Sequence, residues 1–362
     1  MLNFHPSARN IIIGIILLLP LILLSGCQKE EKKRKDLVAV ATTGMVADIV
    51  SHVAGKHVTV KTLMGPGVDP HLYKASPGDV QLLSKADAIF YNGLHLEGKM
   101  SDVFDNLSRR KPTLALASAI KEKHIIGSSS TGSLADPHVW MDVHLWSKTA
   151  IPIADFLSKI DPDHKKEYFE NATEYKRKLI AVHNEIKGIL SKLGSEHRSM
   201  RMLITSHDAF KYFGRAYGLQ VMGIQGISTE SEAGLKRINQ LVQLIYDNSV
   251  ETVFVETSVP QKNIQALIEG VDYYYQTKAD QRRKKRSLKI GGELYSDSMG
   301  QQGELVGTYI GMMKHNAWTI YKGLKDTGIW YLEALERKKE EKAEQEQNKK
   351  KKKHGSKKKK RR

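Results

Sequence analysis

Cysteine is almost absent from the 362-residue sequence, which contains a single one, Cys27. No disulfide can therefore form within the chain. Internal repeats and a glycine-rich stalk are also absent, so nothing in the sequence specifically favours a surface adhesin. Acidic side chains are missing from residues 349–362, which makes that segment strongly basic.

An apolar run near the N-terminus, residues 11–24, contains no charged side chain. It is short for a membrane-spanning helix, and small residues separate it from Cys27. We therefore predict a lipoprotein signal peptide at residues 1–26 and a tether at residues 27–36. The segment Leu24-Ser25-Gly26-Cys27 resembles the bacterial lipobox, which implies cleavage before Cys27 and lipid attachment to its thiol. A transmembrane anchor is the weaker alternative, because the run is short.

The C-terminal end carries a dense block of positive charge. Residues 349–362 contribute eleven positive charges to a formal net charge of +17, so the chain before them carries only +6. Because like charges repel and cannot pack, we predict a charged, lysine-rich, disordered tail at residues 333–362. Such a tail is attracted to anionic lipid headgroups. Nucleic acid is not an expected partner, since the rest of the chain is only mildly basic and begins with an export signal.

Strand-like and helix-like segments alternate between residues 37 and 332. The first segments are a strand at 37–41, a helix at 45–53, a strand at 58–64, a helix at 77–85 and a strand at 88–92. Further strands follow at 201–205, 251–256 and 289–290, and the last of these precedes a predicted turn at Gly291-Gly292. This alternation predicts an α/β fold with mostly parallel sheets flanked by helices. We expect two lobes, an N-terminal lobe at 37–161 and a C-terminal lobe at 195–332.

One long helix, residues 162–194, is predicted to join the two lobes. Asp161 precedes a proline at the first helical position, which is typical of a helix start, and Gly194 is typical of a helix end. One face of this helix is apolar at helical spacing; its residues are Tyr168, Ala172, Tyr175, Leu179, Val182, Ile186, Ile189 and Leu193. From Pro162 to Leu193 the helix would be about 48 Å long. We expect it to be a rigid brace and not a flexible hinge.

Four polar turns each present a side chain that binds metals: His71, His138, His207 and Asp297. They are separated by 67, 69 and 90 residues, so they can meet only through the tertiary fold. Imidazole suits zinc and iron, and a carboxylate extends the range to manganese. Four protein ligands also close a tetrahedral site, whereas a catalytic zinc keeps one position open. The set therefore favours a site that holds a divalent ion over one that uses the ion in catalysis.

Three further side chains have the chemistry to take part in such a site. Glu256 ends a buried strand, where it could orient an imidazole N–H or be a satisfied core carboxylate. A metal-dependent hydrolase would need a general base, for which Glu256 and Asp208 are candidates. For His95 we expect packing or a hydrogen bond, and no metal.

The chain resembles the metal-binding lipoproteins of bacterial ABC importers for zinc, manganese and iron, the cluster A-I type. The resemblance covers residues 37 to about 325. It is carried by Gly67-Val68-Asp69-Pro70-His71, Tyr91-Asn92-Gly93-Leu94-His95-Leu96-Glu97, Asp136-Pro137-His138-Val139-Trp140-Met141-Asp142, Ser206-His207-Asp208-Ala209-Phe210, Phe254-Val255-Glu256-Thr257-Ser258 and Gly291-Gly292-Glu293-Leu294-Tyr295-Ser296-Asp297.

This resemblance implies that His71, His138, His207 and Asp297 bind one metal ion in the interlobe cleft, with two ligands from each lobe. It also implies a binding protein, not an enzyme, that delivers one Mn²⁺, Zn²⁺ or Fe²⁺ to an ABC permease. The protein would be exported, lipid-anchored on the outer face of the cytoplasmic membrane or in the periplasm, and a monomer. Manganese, zinc and iron all remain open, and the basic segment 281–286 is not expected from the family. A metal-dependent hydrolase and a surface adhesin are the alternative functions.

Overall fold

The computed structural model describes residues 37–127, 134–193, 201–278 and 288–325. The predicted signal peptide, Cys27 and the tether lie outside the described residues. So do the predicted tail and the basic segment 281–286. Within the part of the chain that is described, no helix combines the length and apolarity needed to cross a membrane.

The first half of the chain forms a parallel sheet with strand order β2-β1-β3-β4. Its strands are β1 (Leu37–Ala41), β2 (Val58–Thr62), β3 (Ala88–Tyr91) and β4 (Thr113–Ala115). Its helices are α1 (Gly44–Ala54), α2 (Pro77–Lys85), α3 (Ser101–Ser108), α4 (Val143–Trp146) and α5 (Ala150–Ile160). The strands alternate with helices along the chain, which confirms the predicted α/β fold for this half.

The second half, among the described residues, contains two parallel strand pairs, β5 with β6 and β7 with β8. Its elements are β5 (Met202–Thr205), α7 (Lys211–Tyr217), β6 (Gln220–Gly223), α8 (Leu235–Asn248), β7 (Thr252–Glu256), α9 (Lys262–Thr277), β8 (Lys289–Leu294) and α10 (Tyr309–Lys325). Strands β5 and β7 are in contact, so the two pairs lie side by side. The α/β architecture is confirmed here as well, with paired strands in place of one continuous sheet.

The Gly291-Gly292 pair is an exception to the sequence prediction, which treats it as a turn. Both glycines lie inside β8, where the pairing with β7 shifts by one residue between Val253 and Phe254. A Cβ atom on Gly291 would approach the Cγ2 atom of Thr252 to 2.2 Å. The glycines therefore allow a β-bulge and a close contact with the neighbouring strand. Strand β8 continues past them toward Asp297.

The long helix between the halves is present but shorter than predicted. A 3₁₀ turn at Pro162–His164 precedes α6 (Lys165–Leu190), whose 26 residues span about 39 Å. Asp161 does not cap this helix with its side chain. Its carboxylate instead accepts hydrogen bonds from the Tyr168 hydroxyl and from Nδ1 of His164.

Helix α6 packs against α1 and α5 of the first half and against α10 of the second. Every residue of its predicted apolar face is buried; these are Tyr168, Ala172, Tyr175, Leu179, Val182, Ile186, Ile189 and Leu193. The same hydrophobic core continues from α1 through α6 to α10. The helix is therefore a brace that contacts both halves along its length, as the sequence predicts.

Truncation of the buried face of α6 should destabilise the whole chain. Leu179 is fully buried, so we expect Leu179→Ala to lower the free energy of unfolding by about 2–5 kcal/mol. Lys176→Ala replaces an exposed side chain of the same helix and should change the free energy of unfolding by less than about 0.5 kcal/mol. Urea unfolding in the presence of a chelator measures both. Equal effects of the two substitutions would contradict the bracing role.

Candidate metal centre

Two Asp-Pro-His turns present the first two histidines. In the loop after β2, Oδ1 of Asp69 accepts a hydrogen bond from the backbone N–H of His71 at 2.9 Å. In the second turn, Oδ1 of Asp136 accepts from the backbone N–H of His138 at 3.0 Å. The aspartate thus closes each turn onto the residue two positions later, while the intervening proline fixes φ. This local geometry explains why the same tripeptide occurs twice.

The other two side chains follow strands of the second half. His207 comes two residues after β5, and Asp297 comes three residues after β8. The carboxyl ends of parallel strands are where α/β proteins bind ligands. The backbone N–H of His207 also donates to Oε1 of Glu256, the last residue of β7, at 2.8 Å. Neighbouring strand ends therefore fix the position of His207.

The structure brings His71, His138, His207 and Asp297 together, with one possible ligand atom of each within 4.8 Å of the others. The Nε2 atom of His138 lies 3.3 Å from Nε2 of His71 and 3.4 Å from Nε2 of His207. The Asp297 oxygens lie 3.0 Å from Nε2 of His207, 3.3 Å from that of His138 and 3.6 Å from that of His71. All four side chains are at most 3% exposed.

These distances match the edges of a coordination polyhedron. Ligands about 2.0–2.1 Å from an ion at the corners of a tetrahedron are about 3.3–3.4 Å apart. The measured separations of 3.0 to 3.6 Å bracket that value. The residues present therefore fit a divalent ion bound by three imidazole nitrogens and one carboxylate.

A carboxylate lies behind two of the imidazole rings. Oδ1 of Asp136 is 2.8 Å from Nδ1 of His138, and Oε2 of Glu256 is 2.5 Å from Nδ1 of His207. A carboxylate at Nδ1 keeps a proton there, so that Nε2 presents its lone pair to the centre of the cluster. Both rings thus turn Nε2 toward the centre of the cluster.

The charges in the cluster displace the pKa values of its members. Burial lowers the pKa of His71 to about 4, and the Asp297 charge only partly offsets this effect. Burial also lowers the pKa of His138, but the charges of Asp297 and Asp136 outweigh it and raise the pKa to about 9. For His207, Glu256 and Asp297 likewise outweigh burial and hold the pKa well above its ordinary value. Positive charge is therefore stabilised at His138 and His207.

The carboxylate of Asp297 points to the same conclusion. Burial would raise its pKa, but the His207 and His138 charges hold the pKa well below its ordinary value, so the group is ionised. Neither of its buried oxygens makes a hydrogen bond of acceptable geometry with a described residue. Buried anionic oxygens without such partners are rare unless an ion satisfies them. A bound cation would supply the missing interaction.

Trp140 connects the ligand-bearing segments of the two halves. Its indole N–H donates to the backbone oxygen of Ser296, the residue before Asp297, at 3.0 Å. Its own backbone oxygen accepts from the Tyr309 hydroxyl at 2.6 Å. The Tyr309 backbone N–H in turn donates to Asp48 of α1 at 3.1 Å. This side of the site is held by a chain of hydrogen bonds between the halves, and the two that involve Trp140 are buried.

The sequence-predicted residues are thus located as follows. The four candidate ligands converge, and Glu256 lies directly behind His207. His95 is exposed in the turn after β3, with a positive φ of 63°, and does not belong to the cluster. Asp136 is a site residue that the sequence prediction misses. Its signal is the aspartate two positions before the histidine in both Asp-Pro-His turns.

Comparison with known proteins agrees with this geometry. The family model ZnuA, described as zinc-uptake complex component A, periplasmic, matches residues 39–323. The manganese-binding lipoprotein MntA of Bacillus subtilis is 42% identical over 305 residues, which cover 83% of this chain and 95% of MntA. The zinc-binding protein TroA of Treponema pallidum is 40% identical over 287 residues, covering 79% of this chain and 88% of TroA.

Solved structures share the fold. The periplasmic zinc-binding protein TroA from Treponema pallidum superposes with a TM-score of 0.74 at 39% sequence identity, covering 80% of this chain and 99% of TroA. The matched residues 39–323 include all four side chains of the cluster. The chain therefore belongs to the ZnuA family, the metal-binding substrate-binding proteins of ABC importers, which are transport components and not enzymes.

Proposed function

We propose that this protein captures a divalent transition metal outside the cytoplasm and delivers it to an ABC permease for import. The observation that carries this proposal is the buried cluster of His71, His138, His207 and Asp297, whose ligand atoms are spaced like the corners of a coordination shell. Substrate-binding proteins of ABC importers act together with a cognate permease, and two relatives are named for the manganese and zinc that they bind.

The cargo in this proposal is one Mn²⁺, Zn²⁺ or Fe²⁺ per molecule. Three imidazoles and one carboxylate suit each of these ions, since imidazole favours zinc and iron and the carboxylate favours manganese. Asp297 neutralises half of the ionic charge. The carboxylates of Asp136 and Glu256 increase the basicity of the two rings in front of them, which strengthens their bonds to a cation.

The site geometry supports holding an ion and not catalysis. Four protein ligands would fill a tetrahedral shell and leave no position for a reactive water. Both oxygens of Glu256 contact His207, one at its backbone N–H and one at its ring. Asp208, the other candidate base, lies 2.7 Å from Nζ of Lys211. The hydrolase alternative therefore has no support, and no observation on the described residues favours the surface adhesin.

For localisation, we propose a lipid anchor on Cys27 that keeps the protein at the outer face of the cytoplasmic membrane. The proposal rests on the lipobox-like segment before Cys27 and on relatives that are named lipoproteins. The basic tail 333–362 would add attraction to anionic headgroups. We also propose a monomer composed of an N-terminal lobe at 37–161, a linking segment at 162–194 that contains α6, and a C-terminal lobe at 195–332.

Metal binding should stabilise the folded chain, because the ligands are assembled only in the native state. At a free metal concentration a hundredfold above Kd, linkage adds about 2.7 kcal/mol to the free energy of unfolding. We expect Zn²⁺, Mn²⁺ or Fe²⁺ to raise the melting temperature of chelator-treated protein by several degrees. Differential scanning calorimetry with each metal measures this shift.

His71→Ala is the most informative variant, since its pKa of about 4 means that no partner charge is left unpaired when it is removed. It should lose most of the metal-induced shift while its metal-free melting temperature stays close to that of the wild type. His95→Ala, at an exposed position outside the cluster, is the matched control and should keep the whole shift. A His71→Ala protein with the wild-type shift would overturn the site.

Metal affinity should increase with pH. In the absence of metal, the charges of Asp297 and Asp136 raise the pKa of His138 to about 9, so this ring is protonated at pH 7, and the pKa of His207 is also raised. A ligand nitrogen must lose its proton, so protons compete with the metal and lower pH weakens binding. We expect metal binding at pH 7 to release at least about one proton per ion. Calorimetric titration in two buffers of different ionisation enthalpy measures this number, and zero release would contradict the prediction.

Replacement of Cys27 should change localisation and not folding. Without its thiol the chain cannot be acylated, so we expect the Cys27→Ser protein to leave the membrane fraction and to keep wild-type metal binding. Fractionation should be performed in high salt, which screens the attraction between the basic tail and anionic lipid. Retention of the Cys27→Ser protein on membranes under these conditions would show that the lipid anchor is not what holds it.

A further inference from the structure

The loop that carries His71 is held in place by a side chain from the other half of the molecule. The Thr229 hydroxyl donates a hydrogen bond to Oδ2 of Asp69 at 2.6 Å. The other oxygen of the same carboxylate accepts from the backbone N–H of His71 at 2.9 Å. Asp69 therefore links a first-half ligand to the segment between β6 and α8, 160 residues later in the chain.

A second contact between the halves lies next to this one. Nζ of Lys99 is 3.1 Å from Oε1 of Glu230, with side chains that are 37% and 43% exposed. An exposed ion pair of this kind contributes little. Thr229 is only 9% exposed and its partner is a carboxylate, so its hydrogen bond is the stronger of the two. The Thr229–Asp69 bond is therefore the more important contact on this side of the site.

The His71 ring has less direct support than the rings of His138 and His207. Its position therefore depends more on the hydrogen bond between Thr229 and Asp69. His138 and His207 each have a carboxylate at Nδ1, and Trp140 connects their surroundings to Ser296. Among the described residues, the only carboxylate within ion-pair distance of the His71 ring is that of Asp297, on the Nε2 side that faces the cluster. The support of His71 thus comes from its turn, and the turn is supported across the cleft by Thr229.

We propose that Thr229 is a positioning residue for metal retention, and that loss of its hydrogen bond to Asp69 lets His71 leave the ion before the other ligands do. Thr229 touches no ligand atom and acts only through Asp69 and the His71 turn. This inference rests on the proposed metal-binding function. It assigns the segment between β6 and α8 a role in the rate of metal release.

The test is the rate at which Zn²⁺-loaded protein loses its ion to an excess of a chromophoric chelator. Thr229→Val keeps the shape of the side chain and removes the hydroxyl. We expect release to be about tenfold faster, which corresponds to about 1.4 kcal/mol. Thr229→Ala should show the same acceleration, and Thr229→Ser should restore the wild-type rate within about twofold, because serine keeps the donor.

Thr173→Val is the matched control. It makes the same substitution on the exposed side of α6, where the hydroxyl donates only to the backbone oxygen of Phe169, and it should leave release unchanged. Release should be measured well below the metal-free melting temperature of every variant, so that faster release reflects positioning and not unfolding. A wild-type release rate in Thr229→Val, or a fast rate in Thr229→Ser, would overturn the inference alone. A wild-type protein that takes up no Zn²⁺, Mn²⁺ or Fe²⁺ would overturn the proposed function as well.

Discussion

The close approach of three imidazole nitrogens and one ionised carboxylate in a buried space is the interaction on which the rest of the structure depends. Lone pairs separated by about 3.3 Å repel one another unless a proton or a metal ion lies between them. The surrounding carboxylates of Asp136 and Glu256 make positive charge still more favourable at this position. The buried site therefore favours a cation at its centre, where a cation relieves this repulsion and pairs with the surrounding carboxylates.

Such a cluster requires precise backbone support, which comes from both halves of the chain. Parallel strands bring His207 and Asp297 to neighbouring strand ends, while two Asp-Pro-His turns present His71 and His138. The hydrogen bonds from Trp140 to Ser296 and from Tyr309 to Trp140 then join the halves next to the ligands. The bulge in β8 also contributes to the backbone support of the cluster, because it allows the strand to continue toward Asp297 without a turn.

Most of the fold and the four candidate ligands can be predicted from sequence for specific physical reasons. The apolar periodicity of α6 is visible because its buried face recurs at helical spacing, and Leu179 or Ile186 can be assigned to the core directly. The candidate ligands are visible because two of them lie in Asp-Pro-His turns and the other two follow strands. Contacts between residues distant in sequence are not visible: nothing local indicates that Asp136 accepts from a ring as well as from the backbone, or that Thr229 reaches Asp69.

Two local predictions are wrong because they depend on tertiary contacts. The Gly291-Gly292 pair forms a bulge and not a turn, since it packs closely against Thr252. The Asp161 side chain does not cap the helix, since it accepts hydrogen bonds from Tyr168 and His164 instead.

The way in which the two halves are joined limits how an ion can leave. A hinge opening around α6 would expose large side chains of the continuous core, such as Trp146 and Tyr309, which are fully buried. An aromatic side chain buries about 150–250 Å², and at about 25 cal/mol per Å² each one exposed would cost about 4–6 kcal/mol. Displacement of the loop that carries His71 breaks far less, since a hydrogen bond to a charged group contributes about 1.5–3 kcal/mol. Displacement of this loop costs less free energy than a hinge opening and is therefore the favoured motion. A rigid brace is thus compatible with release of the ion when movement is confined to the loops around the site.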